Sequence, residues 1–311
     1  MLFSTSNDAW TQDQLNQRLA TIADRPYQGA ARALFPLDTE VASWADSYTA
    51  TIQTQVPETA EIINYKSVLP VLGQFQSRSM SSPVIALGGA ATYTVQEINV
   101  ARQMGMDLSG AKLERAVSGI YRAEDRLVFE GNSNQSVYGL GNHPQIGHYP
   151  LAATGNSNGY SNTTLWAGKT IDQILREVSE LRASQMELAE QLNAPIADTL
   201  LIPSAVVADL RSRLRGNEGS VTLWDILVSN LSGVTLLESS RMNSLPIASL
   251  GTNASCALFY NWAESLSVVI PQDTTIEAPQ QVDLVVKTPV HSRFGGLRLN
   301  HPESTTLIVG I

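Results

Sequence analysis

Gly168-Lys169-Thr170 stands directly before a helical stretch, where the end of a phosphate-binding loop would stand. Such a loop needs a first glycine five residues ahead of Gly168, so that backbone amides can wrap the phosphates. Position 163 is Thr, no clear apolar strand precedes it, and no acidic magnesium partner follows a strand downstream. The triplet therefore reads as a capped helix start. Gly155-Asn156-Ser157-Asn158-Gly159 has the spelling of a nucleophile elbow, which works only when a strand and a helix strain the serine. Its flanks, Ala152-Ala153-Thr154 and Tyr160-Ser161-Asn162, form a polar loop. His143 and His148 are the close pair among four histidines (with His291 and His301), but no carboxylates cluster beside them. A structural zinc takes about four ligands. The lone Cys256 lies in an apolar run and reads as a small buried hydrophobe. No catalytic, cofactor-binding or metal-binding residue is expected, and no cofactor.

The bulk numbers point elsewhere. The chain has 311 residues, 43% apolar and only 16% charged, with a net charge of −9 from 20 basic and 29 acidic residues. Low charge with many Ser, Thr, Asn and Gln fits a surface covered by sister subunits. An uncharged polar globular protein has the same composition, so composition does not separate the two. No basic run is present, which argues against tight sequence-independent nucleic-acid binding. The opening MLFSTSNDAW lacks a basic n-region and a long apolar core, so no secretory signal is expected. No apolar run approaches the roughly 20 residues of a membrane span. The expectation is a soluble protein made in a cytoplasm, and the Asn-x-Ser/Thr triplets at 134, 162 and 253 then carry no information.

The longest patterned element is a helix near 108–130, with Leu113, Val117, Ile120, Tyr121, Leu127 and Val128 at helical spacing. Asp107 or Ser109 can cap it, and Gly131 stands where a helix ends in a left-handed residue. Ahead of it, a short helix is expected over Thr11–Ala23 and a strand near Ser47–Val56 with Thr49, Thr51 and Gln53 on one face. Residues 64–92 have no sustained period, and a loop that long is usually functional or ordered by a partner. After it come loops over 131–165, then a helix opened by the capping box Thr170/Gln173. A strand at 199–202 precedes a helix capped by Ser204 that ends at Gly216, and another helix near Thr222–Asn230. Strands VTLLES, CALFYN, SLSVVI, VDLVVKT and STTLIVGI complete the chain. This order is α+β.

Glu124-Asp125-Arg126-Leu127-Val128-Phe129-Glu130-Gly131 followed by Gly139-Leu140-Gly141-Asn142 resembles the spine helix and following loop of the Hong Kong 97-type fold. Arg293-Phe294-Gly295-Gly296-Leu297, then His301-Pro302 and an apolar last strand, is similar to the closing strand pair of many capsid proteins of that fold. Tailed-phage major capsid proteins and the nanocompartment proteins called encapsulins share it. The resemblance implies an N-terminal arm (1–37), a first peripheral-domain segment (38–63) and a two-stranded extended loop (64–92). It further implies a peripheral domain (93–165) with the spine helix at 108–130, and an axial domain (166–265). C-terminal strands (266–311) would return to the peripheral domain.

The function so implied is self-assembly through pentamers and hexamers into an icosahedral shell around viral DNA, without sequence-specific binding and without a chemical step. The implied location is the virion, with assembly in the host bacterial cytoplasm. Implied partners are copies of the chain itself and separate scaffolding, decoration and portal proteins, with no membrane. Candidate interface residues are Trp10, Leu15, Leu19, Gln74, Phe75, Arg78, Met80, Arg115 and Arg122, and candidate hinges are Gly88, Gly89 and Gly105. Some relatives join subunits through a Lys–Asn bond. Lys66 is the lysine nearest the loop and sits at its expected base, while the expected tip, around Gln76–Pro83, has none, so no cross-link is expected. The alternatives are an encapsulin-like shell around an enzyme cargo, with Leu15, Leu19 and Ile22 as the cargo pocket, and a soluble enzyme using one of the weak motifs above.

Overall fold

The computed structural model describes residues 27, 29–55, 75–104, 108–157, 159, 161–192, 194–214, 221–231, 233–247, 251–253 and 255–311. The helix expected at Thr11–Ala23 lies outside these residues, as do Trp10, Leu15, Leu19, Lys66, Gln74 and Gly105.

In chain order the first half contains α1 (Ala30–Leu34), β1 (Leu37–Asp38), β2 (Ser47–Gln55), β3 (Phe75–Pro83), β4 (Ile85–Thr94), α2 (Val95–Met104), α3 (Leu108–Phe129) and β5 (Gly147–Pro150). Next come α4 (Ile171–Leu192), β6 (Thr199–Pro203), α5 (Ser204–Ser212), α6 (Leu223–Asn230), β7 (Thr235–Ser239), β8 (Leu245–Ile247) and β9 (Gly251–Asn253). The remaining strands are β10 (Ser255–Phe259), β11 (Leu266–Val269), β12 (Gln272–Ile276), β13 (Gln280–Val282), β14 (Val285–Phe294), β15 (Gly296–Leu299) and β16 (Thr306–Val309).

A five-stranded sheet in the order β5-β16-β10-β6-β7 lies at the centre. Its inner strands are apolar on both faces, as a sheet covered on both sides requires. Leu200 and Ile202, Cys256 and Leu258, and Ile308 pack with α4, α5 and α6, while Leu201, Ala257, Phe259, Leu307 and Val309 pack into a second core with the end of α3. The last strand, β16, pairs with β10 on one side and β5 on the other, and a strand apolar on both faces is buried on both. β5 itself falls in a stretch expected to be loop.

A second sheet is built on β14, which pairs with β4 over ten residues, from Val285 opposite Thr94 to Phe294 opposite Ile85. β12 and β13 pair with its other edge. The expected strand VDLVVKT is broken here: Asp283 takes a left-handed φ of 54° and turns β13 into β14. Helix α3 lies across this sheet, over Ala91, Tyr93, Val290 and Phe294, all buried. It ends at Gly131, whose φ is 71° and whose absent Cβ would overlap the Asn142 side chain. Glycine is the residue that fits such a stop.

Ser204 is not the cap of α5. The cap position is Pro203, and Asn243 Oδ1 accepts from the Ala205 amide at 3.1 Å while its Nδ2 donates to Ser204 Oγ at 3.1 Å. An amide from a distant turn thus satisfies a helix N–H that the local serine leaves open.

Candidate subunit interface

The ribbon of β2 and β3 stands apart from the larger sheets. The two strands pair over nine residues, Ser47 opposite Pro83 through Gln55 opposite Phe75, and neither pairs with any other described strand. The ribbon's two arms are 47–55 and 75–83, whereas 85–92 belong to β4, paired with β14. The expected tip, 76–83, is a paired arm, and the connection of residues 56–74 lies outside the described residues.

Period-two alternation gives the ribbon two faces. One carries Tyr48, Ala50 and Ile52 opposite Ser82, Met80 and Arg78; the other carries Thr49 and Thr51 opposite Ser81 and Ser79, all exposed. An isolated two-stranded hairpin is at best marginal in water, so its base needs an anchor. The Gly295 carbonyl is that anchor: it accepts from Tyr48 Oη at 3.2 Å and from Ser82 Oγ at 3.1 Å. A Cβ on Gly295 would lie 2.9 Å from the Tyr48 ring, so the glycine permits the approach. Burial pushes the Tyr48 phenol up to about 12, keeping it a neutral donor.

Arg293 braces the same base by donating to the Ser43 carbonyl and, at 3.0 Å, to Asp46. Beneath the base, His143 is buried against Tyr138, and burial lowers its pKa to about 4. Gly296, at φ 86°, has its Cβ position 2.8 Å from the Tyr138 carbonyl. The Arg293–Leu297 motif thus seats the ribbon.

Helix α3 has a second task. Its Asp125 caps α1, accepting from the amides of Ala30 at 3.0 Å and Ala31 at 2.8 Å and from the Tyr27 hydroxyl. Glu124 takes the Arg32 guanidinium through two bonds of 2.8 and 3.1 Å and accepts from Ser292 Oγ at 3.2 Å. Burial works against the charge on Arg32, yet Glu124 and Asp273 outweigh it and raise its pKa. Two adjacent acids in a core helix are thereby explained, although no spacing in the sequence shows which segment they hold.

Among the expected interface residues, Arg78 is exposed on β3 and Met80 is half-buried, lining a small cavity with Tyr48 and Tyr138. Arg115 and Arg122 are exposed on α3, and Arg122 stands 5.5 Å from the centre of the Tyr27 ring. Phe75 opens β3 opposite Gln55. Gly88 and Gly89 lie inside β4, in register with His291 and Val290.

Lys169 and Thr170, from the triplet that resembles the end of a phosphate loop, have structural partners. Lys169 is fully buried and ion-paired with Glu177, and Arg213 binds its carbonyl. Gln173 Oε1 accepts from the Thr170 amide at 2.9 Å, which starts α4. Among the described residues no three metal-binding side chains cluster, and no helix is long and apolar enough to cross a membrane.

The model of the Major capsid protein family matches residues 59–311, and the protein belongs to that family. It is a structural protein of a capsid shell, located in the virion. No curated protein matches the sequence. Among solved structures, the capsid of Myoviridae phage XM1 superposes with a TM-score of 0.68 at 16% identity, covering 93% of this chain and 95% of that one. A structure from Mycobacterium phage Cain gives 0.61 at 13% identity, over 94% and 92%. A virus-like particle from Pyrococcus furiosus gives 0.54 at 14% identity, over 98% and 100%. At these identities the likeness shows the fold, which is the Hong Kong 97-type. The nanocompartment alternative is not favoured.

Proposed function

We propose that this chain assembles through hexameric and pentameric rings into a closed icosahedral shell around viral DNA, in the cytoplasm of a bacterial host and without a chemical step. The observation that carries this reading is the β2–β3 ribbon: two nine-residue strands paired to each other and tied down at one end. Such a ribbon gains order when a neighbour covers it, and its exposed Thr and Ser face and Arg78 are surfaces for that contact. In this reading the sheet on β14 with α3 is the peripheral domain, and the layer of α4, α5 and α6 belongs to the axial domain. Arg115 and Arg122 on α3 face a neighbour. Scaffolding, decoration and portal proteins act as separate chains.

Many weak contacts closed by symmetry hold a shell while each remains reversible during assembly. The test is expression of the chain alone, followed by light scattering after size exclusion and negative-stain microscopy. Closed particles or rings of five and six are expected, with nuclease-resistant DNA inside particles recovered from infected cells. A monomer at high concentration, with scaffold added, would contradict the proposal.

A further inference from the structure

Trp44 is 81% exposed, more than any other large apolar side chain among the described residues. It is also held still. Its turn is closed by the Ala45 amide on the Ala42 carbonyl at 3.0 Å, and the Val84 amide binds the Asp46 carbonyl at 2.9 Å. Arg293 grips residues on both sides of it, the Ser43 carbonyl and Asp46. An indole presented on a braced turn loses little freedom on binding, and tryptophan is the side chain most enriched at the energetic centres of interfaces.

The same chain carries a matching recess. A cleft of about 510 Å³ opens between the start of β4 and the end of α3. Its lining combines apolar Ile85, Leu87, Ala123 and Leu127 with Arg126 and the polar run 132–135. The volume falls within the roughly 300–1,000 Å³ typical of pockets that take a small organic group. Arg126, largely exposed, can lie over an indole face. Gln135 Oε1 accepts one bond from Asn132 and has a second lone pair for an indole N–H. The exposure of Trp44 shows that it does not fill the cleft of its own chain.

We propose that Trp44 of one copy seats in this cleft of a second copy. Knob and recess are different surfaces, so each subunit gives one and receives one. A contact of that head-to-tail kind makes a ring where its rotation closes. One indole buries about 150–250 Å², far below the roughly 1,000 Å² of a free-standing interface. It therefore acts only where every subunit of a closed assembly repeats it, and to that extent it rests on the shell reading above.

Disulfide trapping between two single variants tests the contact. Ser43→Cys places a thiol beside the knob, and Asn134→Cys places one in the lining of the recess; both positions are exposed. The native Cys256 is fully buried, and burial pushes its thiol pKa well up, so it stays out of the exchange. Co-assembled particles, mildly oxidised, are expected to give disulfide-linked dimers that neither variant gives alone. Adding Trp44→Ala to the Ser43→Cys chain should lower that yield at least tenfold, or abolish assembly with an unchanged melting temperature. Particles without the 43–134 link, or a link indifferent to Trp44→Ala, would overturn the docking and leave the shell standing. Wild-type protein that forms no particles would remove both.

Discussion

The five-stranded sheet and the β2–β3 ribbon are held in opposite ways. In the sheet, alternate residues of β6, β10 and β16 enter two apolar cores, so every strand is fixed from both faces. In the ribbon, two hydroxyls share one carbonyl at the base, and the outer face meets only solvent. The first region is complete within one chain. The second is specified at its root and left open along its length, as suits a part that a neighbour finishes. A shell protein needs both kinds, because a subunit must fold alone and still reserve surface for assembly.

The comparison breaks first if the helical layer tolerates loss of its buried charge partner. Lys169→Met would strand Glu177 in an apolar interior, and a loss of about 3–5 kcal/mol is expected from thermal or denaturant melting. Adding Glu177→Leu should recover most of it. A single variant as stable as the parent would show that this layer is less tightly packed than its burial implies.

At the ribbon base the largest effect is acid-dependent. The folded pKa of His143, about 4, lies below its ordinary value of 6.5, so between these values the unfolded chain holds the extra proton. The stability that neutral His143 provides is complete above pH 6.5 and is lost as pH falls toward 4, by about 3 kcal/mol. His143→Phe should flatten that slope in melts taken across the window, and an unchanged slope would move the acid sensitivity elsewhere.

Gly295→Ala sharpens the contrast, because its methyl would press on Tyr48 and Val269. A cost of about 1–3 kcal/mol is expected. Faster amide exchange should appear in residues 47–52 and 79–83 while β6 and β10 stay protected. Equal loss of protection in the sheet would mean that the two regions are one cooperative unit.

The smallest effect is at a local cap. Thr222 and Asp225 form a reciprocal box at the start of α6, and Thr222→Ala should lower stability by about 1 kcal/mol. Equilibrium denaturation measures it, and no change in ribbon exchange should accompany it.

The long helices were readable because their signals are local. The stripe from Leu113 to Val128 and the stop at Gly131 lie within a few turns of each other, as do the Thr170/Gln173 and Thr222/Asp225 boxes. Helix α2 had a local signal as well: Thr94 and Glu97 exchange bonds of 3.0 and 3.2 Å, the pattern of a Thr-x-x-Glu box. The ribbon was not readable in the same way. Strand pairing joins residues far apart, and nothing near Ser47 announces Pro83 as its partner. The double glycine at 88–89 signals backbone freedom in sequence, while its pairing with β14 is set by a strand some two hundred residues on.

From the sequence alone follow the positions of the long helices α3 and α4, the α+β order, the incomplete phosphate and nucleophile motifs, and a resemblance resting on two short stretches. Those depend on neighbours along the chain, where periodicity and capping act. Only the tertiary structure decided that β16 belongs to the central sheet, that Gly295 seats the ribbon, and that Glu124 and Asp125 hold residues 27–32. It also placed Trp44 on a braced, exposed turn. Each of these is a meeting of residues far apart along the chain, or an exposure set by everything around it, and no local pattern encodes either.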